Sequence, residues 1–187
     1  MNALKACVEN ILRNAHNHKW RMQGLGMLRT NLNDKSRLHV WHADKVIPDV
    51  SDIHDHPWDF KSVVVVGSIR QSRFIEAPLY GETYNKLKIV CGGGACSVSP
   101  VEKVLLAKLC DETIFAGEEY TMLSDELHRT IPESGTVTIV ERVKTNPVSH
   151  ANVYWQSGEW VSAEPRDATF GEINFVVDYS LQKWFNS

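Results

Sequence analysis

Ser51-Asp52-Ile53-His54-Asp55-His56-Pro57-Trp58-Asp59-Phe60, running into Lys61-Ser62-Val63-Val64-Val65-Val66-Gly67, decides how this chain is read. The valine run is β-branched and stops at a glycine, the pattern of a strand closed by a turn. On an extended chain residues i and i+2 face the same side, so His54 and His56 project together and Asp55 points away. Two imidazoles so placed can reach one metal ion at roughly 2.0–2.2 Å, with a third donor supplied by another strand. His128, in Leu123-Ser124-Asp125-Glu126-Leu127-His128-Arg129 behind Gly117, suits that role. Asp59 is the one carboxylate just downstream of the pair. Alternation turns it to the opposite face, and a bulge at Pro57 would be needed to bring it in as a fourth donor. Trp58 is in phase with the histidines, either as a pocket wall or as core.

Working toward the N-terminus, Leu4, Cys7, Val8, Ile11 and Leu12 recur at i, i+3, i+4, i+7 and i+8. That spacing predicts one amphipathic helix over residues 3–15. Beyond Gly24 and Gly26 the period changes to two. Arg37–His42 alternates, and His39 and His42 fall on opposite faces, so at most one of them lines the same interior. Downstream, strands are predicted at Lys86–Val90, Cys96–Val98, Lys103–Leu109, Glu112–Phe115, Thr121–Leu123 and Thr136–Val143, most of them separated by turn residues. In the tail, Asn152-Val153-Tyr154-Trp155 and Glu159-Trp160-Val161 flank Ser157-Gly158 and predict a hairpin. An aromatic-rich stretch follows, from Phe175-Val176-Val177 to Trp184-Phe185. Many short strands after one helix predict a mainly β, antiparallel sandwich or barrel rather than a βαβ fold.

The chain has 187 residues, 43% hydrophobic and 23% charged, with a net charge of −3. This is the composition of a soluble globular protein with a core of its own. A negative balance argues against a nucleic-acid partner, which calls for a basic surplus. No apolar run approaches the roughly 20 residues that cross a bilayer. Charges interrupt the first twenty residues, so no signal peptide is expected and the protein is expected in the cytoplasm. Cys7, Cys91, Cys96 and Cys110 fit neither a zinc pattern nor a disulfide framework and are expected as thiols. Gly92-Gly93-Gly94 lacks the Lys-Ser/Thr of a phosphate loop and predicts a turn.

The histidines and glycines carry a family resemblance. His54, His56 and Gly67 fit the first cupin motif, G-x5-H-x-H-x3,4-E-x6-G, and Gly117 and His128 fit the second, G-x5-P-x-G-x2-H-x3-N. The chain resembles a cupin over residues 29–147, which implies an antiparallel double-stranded β-helix, a jelly-roll barrel. One domain is expected over 1–187, with an N-terminal helical segment (1–28), the barrel (29–147) and a C-terminal appendage (148–187). The chain departs from the motifs at Pro48, Leu123, Asp125 and Pro132, and at the acidic ligand, which falls on Phe60 or Lys61. A site of His54, His56 and His128 without the glutamate remains, with Asp59 as the possible fourth group.

Within the cupins, Ser51-Asp52-Ile53-His54-Asp55-His56 resembles the S-S-I-H-D-H motif of cysteine dioxygenases. Tyr120 with Leu127-His128-Arg129 is similar to that family's Y…L-H-R segment, and Leu28-Arg29-Thr30-Asn31-Leu32 to its substrate-carboxylate arginine segment. The resemblance implies an Fe(II)-dependent dioxygenase acting on a small thiol or carboxylate. It gives Arg29 to the substrate carboxylate, with Tyr120 beside the substrate. Imidazoles also suit Zn, Ni and Cu. Two groups of that family are missing. No cysteine follows the histidine pair, where the chain reads Phe60-Lys61-Ser62, and no tyrosine stands in Thr138–Lys144. A metal-binding cupin without turnover and a metal-free, sugar-isomerase-like cupin are the alternatives, and cupin sheet edges imply a homodimer.

Overall fold

The computed structural model describes residues 2–24, 26–45, 52–92, 95–145, 150–158 and 165–185. The first sheet holds β1 (Arg21–Gln23), β2 (Met27–Asn31), β3 (Ser36–Trp41), β5 (Trp58–Val66), β10 (Glu119–Met122), β12 (Val137–Thr145) and β14 (Arg166–Asp167). The second holds β4 (Ile53–His54), β6 (Ser68–Glu76), β7 (Glu82–Gly92), β8 (Ala95–Val98), β9 (Glu102–Phe115), β11 (Leu127–Pro132) and β13 (His150–Trp155). The strand orders are β10-β5-β12-β3-β2-β1-β14 and β13-β4-β11-β6-β9-β7-β8. Every pairing between them is antiparallel. Because β7 also pairs with β13, six strands of the second sheet join in a ring. Two helices flank the sheets, α1 (Asn2–Arg13) and α2 (Phe170–Phe185). No helix among the described residues is long and apolar enough to cross a membrane.

Alternation gives the first sheet two different faces. Leu28, Leu38, Val40 and Val137 pack on one side against Val8 and Leu12 of α1 and Val176 and Val177 of α2. Burying each such side chain is worth roughly 1.5–3 kcal/mol, which is why the helices stay on this face. On the other face the strand register builds three rows. Arg29, His39, Thr138 and Val64 form the first, and Arg37, Val140, Ser62 and Tyr120 the second. Arg142, Phe60 and Met122 form the third. This face meets the second sheet, where Val64 packs on Ile69 and Ile114.

Several expectations from the sequence change in the structure. The described part of the tail beyond residue 147 is built into the sheets. β13 takes part in the second sheet and β14 pairs with β1, so both halves of the chain complete the sheets. Asn152–Trp155 is a strand as expected, but its partners are β4 and β7; residues 159–161, its expected hairpin partner, lie outside the described residues. The helical segment expected over 1–28 ends early, because β1 and the start of β2 lie inside it. Lys103–Leu109 and Glu112–Phe115 are one strand, in which the register against β6 slips by one residue at Leu109. Cys7 is exposed although it shares the helical spacing, and Cys110 is exposed too. Cys91 and Cys96 are opposed in backbone register across β7 and β8, while Gly93 and Gly94 lie outside the described residues.

Candidate metal centre

His54 ends β4, a strand of two residues held between β11 and β13. Its Cα partner on β11 is His128, so the register itself sets two imidazoles side by side. Cross-strand partners of this kind have Cβ atoms about 4.5–5.5 Å apart. His56 follows two residues on and returns to the same side, as period-two geometry requires. The rings of His54 and His56 lie 4.8 Å apart, those of His54 and His128 4.6 Å, and those of His56 and His128 5.1 Å.

Asp55 points the other way and fixes the strand. Its two oxygens accept from the backbone N–H and the side-chain amide of Asn152, both at 2.6 Å. Burial raises its carboxyl above its ordinary value, and the two Asn152 contacts offset only part of that rise. The His56 N–H donates to the Ser124 carbonyl, tying the pair to the loop before β11.

One ligand nitrogen from each of His54, His56 and His128 lies within 4.8 Å of the others. His56 Nε2 and His128 Nε2 are 3.0 Å apart, inside the span of two metal–nitrogen bonds of about 2.0–2.2 Å. Burial, and then the neighbouring histidine His54, hold His56 and His128 well below the ordinary imidazole range. Both rings are therefore neutral at pH 7, the form that ligates. His128 Nδ1 faces Gln71 Oε1 at 2.9 Å, and Thr130 Oγ1 donates to the same oxygen at 3.1 Å. An amide oxygen can only accept, so Nδ1 carries the proton and the Nε2 lone pair points toward the other histidines. The donor set fits a transition metal. Three imidazoles without a carboxylate suit Fe, Zn, Ni or Cu and disfavour Ca or Mg.

The remaining sequence candidates divide by position. Asp59 accepts from the Ser124 N–H at 2.9 Å and is not in the histidine group, so it braces the loop. Phe60 occupies the inner face instead, its ring 5.0 Å from His56 and 6.5 Å from His128. Trp58 is half-buried with its ring 5.8 Å from His56. Tyr120 packs 6.1 Å from Phe60, and burial raises its phenol while Ser62 and Gln71 oppose the shift. It therefore stands behind Phe60, close to the amide that orients His128. Arg29 is half-buried beside His39, its guanidinium lowered by burial and then by Arg21 and Arg142. A cavity of about 310 Å³ reaches the triad at His56, bordered by Asp55, Pro57, Ser124, Asp125 and Asn152.

His39 and His42 separate as alternation demands. His39 is on the inner face, lowered to about 3 by burial and by Arg29. His42 packs on α2, with ring centroids 4.6 Å from Phe175 and 4.4 Å from Tyr179. Arg129 turns outward, ion-paired with Asp52 and lying over Phe74. Sequence reasoning missed Gln71, Arg37 and Arg142. Gln71 had one signal available, since Ile69, Gln71 and Arg73 are in phase directly after the Gly67 turn. No known protein family matches the sequence, and a comparison with curated proteins gives no match.

Proposed function

We propose that the protein is a metal-dependent cupin with a double-stranded β-helix, acting as an Fe(II) dioxygenase of the cysteine dioxygenase-like kind on a small thiol or carboxylate. The observation that carries this reading is the convergence of His54, His56 and His128 at the inner end of a two-sheet fold. His54, His56 and His128 would hold the iron, which would supply the Lewis-acid and redox chemistry through which the substrate's electrons reach O2. The chain does the rest. Gln71 fixes the His128 tautomer, and Phe60 excludes water beside the histidines. Arg29 binds a carboxylate in bidentate fashion.

A second reading, metal and small-ligand binding without turnover, is favoured by one observation. The side chain in place of an acidic ligand is Phe60, and among the described residues the phenol on the inner face of the first sheet is Tyr120, behind that ring. Acid–base help from a phenol is worth roughly 10²–10⁴-fold. Oxygen consumption by the iron-loaded protein decides between the two readings. Mercaptopropionate should be consumed, cysteine slowly, and cysteamine, which has no carboxylate, not at all. Arg29→Gln should raise KM for mercaptopropionate. No turnover of any thiol by protein that holds one iron per chain would leave the binding reading.

A further inference from the structure

Arg29, Arg37 and Arg142 share the inner face of the first sheet with Phe60 and His39. Each is half-buried, and none has a carboxylate within ion-pair distance among the described residues. Five of the other six arginines are paired, Arg13 with Glu9, Arg21 with Asp167, Arg73 with Glu112 and Glu126, Arg129 with Asp52 and Arg166 with Glu172, and the sixth, Arg70, is exposed. A chain with 23 acidic and 20 basic side chains has carboxylates to spare, yet among the described residues none pairs with these three arginines. The guanidinium carbons of Arg142 and Arg37 lie over the Trp58 ring, 4.3 and 5.7 Å from its centroid. Trp58 in turn stands 5.8 Å from His56, so the cations border the histidine site.

We infer that Arg37 and Arg142, held over Trp58, form an anion-binding position beside Arg29, and that the ligand of this site is a small organic dianion. This rests on the reading of the histidine site as the place where a substrate reacts. Charge counting supports it. One carboxylate neutralises one guanidinium and leaves two half-buried cations with no counter-ion, whereas a dicarboxylate or a phosphate monoester supplies two charges. The planar guanidinium fork binds either group bidentately. Trp58 holds the Arg142 and Arg37 planes in place before the ligand arrives, which lowers the ordering cost of binding.

The test uses metal-free full-length protein, so that it does not depend on turnover. Calorimetric titrations at pH 7.5 and low salt compare acetate, malonate and inorganic phosphate. Malonate, phosphate or both should bind about tenfold or more tightly than acetate, the difference expected from one further charge-assisted contact. The better of the two tells whether two carboxylates or one phosphoryl group is preferred. Arg142→Gln and Arg37→Gln should each remove that advantage, and Arg142→Lys should recover part of it. Unfolding midpoints recorded for the same variants identify any that fail to fold. Equal binding of acetate and both dianions, or an undiminished advantage in folded Arg37→Gln and Arg142→Gln, overturns the inference. Metal retention by the Arg142→Gln protein is read separately. Loss of dianion selectivity with metal retained concerns the arginines alone, while absence of metal in the parent protein concerns the histidine site.

Discussion

His128 is engaged at both ring nitrogens, Nδ1 by Gln71 and Nε2 by His56. Gln71→Leu should therefore keep the fold but lower metal affinity by about 10–100-fold, measured by competition with a chromophoric chelator. Asp59→Asn, which changes a group bonded to Ser124, should leave that affinity unchanged. His39 makes a different prediction. Its folded value of about 3 lies below the 6.5 of an unfolded histidine, so between those values the unfolded chain binds the extra proton. Stability from this group is complete above pH 6.5 and falls with pH toward 3, by about 1.4 kcal/mol per unit. Denaturant titrations across pH 4–7 should show a flatter slope in His39→Gln than in the parent protein. The clustering of the three histidines was legible because two lie i, i+2 on one extended segment and the third sits behind a glycine at motif spacing. Gln71, Arg37 and Arg142 were not, since they come together only through register between strands distant in sequence.

At the scale of elements, α2 is the instructive miss. Val176 and Val177 invite a strand reading, yet Ile173, Val176, Val177, Ser180, Leu181 and Trp184 keep helical spacing. Its start was written in the sequence as well. The Thr169 N–H donates to Glu172 Oε2 at 2.9 Å and the Glu172 N–H to Thr169 Oγ1 at 3.3 Å, a reciprocal cap. Thr169→Ala should destabilise the protein by about 0.5–2 kcal/mol in chemical denaturation. Gly67, by contrast, was recognised from motif spacing, and the structure supplies the reason. Its φ is +78°, and a Cβ there would stand 2.5 Å from Thr136 Oγ1, a group bonded to both the N–H and the carbonyl of Ser68. Gly67→Ala should cost at least about 1 kcal/mol in the same assay.

For the whole molecule, period-two patterning foretold a mainly β, antiparallel sandwich or barrel behind an N-terminal helix; the structure shows two antiparallel sheets, whose joining the pattern left open. The β7–β13 pairing and the place of β13 between β4 and β7 depend on contacts between residues distant in sequence, from Val90 with His150 to His54 with Val153, which no local pattern encodes. The two sheets together create what neither has alone, three clustered imidazoles beside a wall of arginines. The central claim is that those imidazoles hold one transition-metal ion. Elemental analysis of protein purified without chelator or metal-affinity resin tests it directly, alongside His54→Ala and His128→Ala. The expected result is about one equivalent of a transition metal per parent chain and none in either variant. Metal-free parent protein that takes up no Fe(II), Zn(II), Ni(II) or Cu(II) on dialysis, or full metal content in both folded variants, would contradict it.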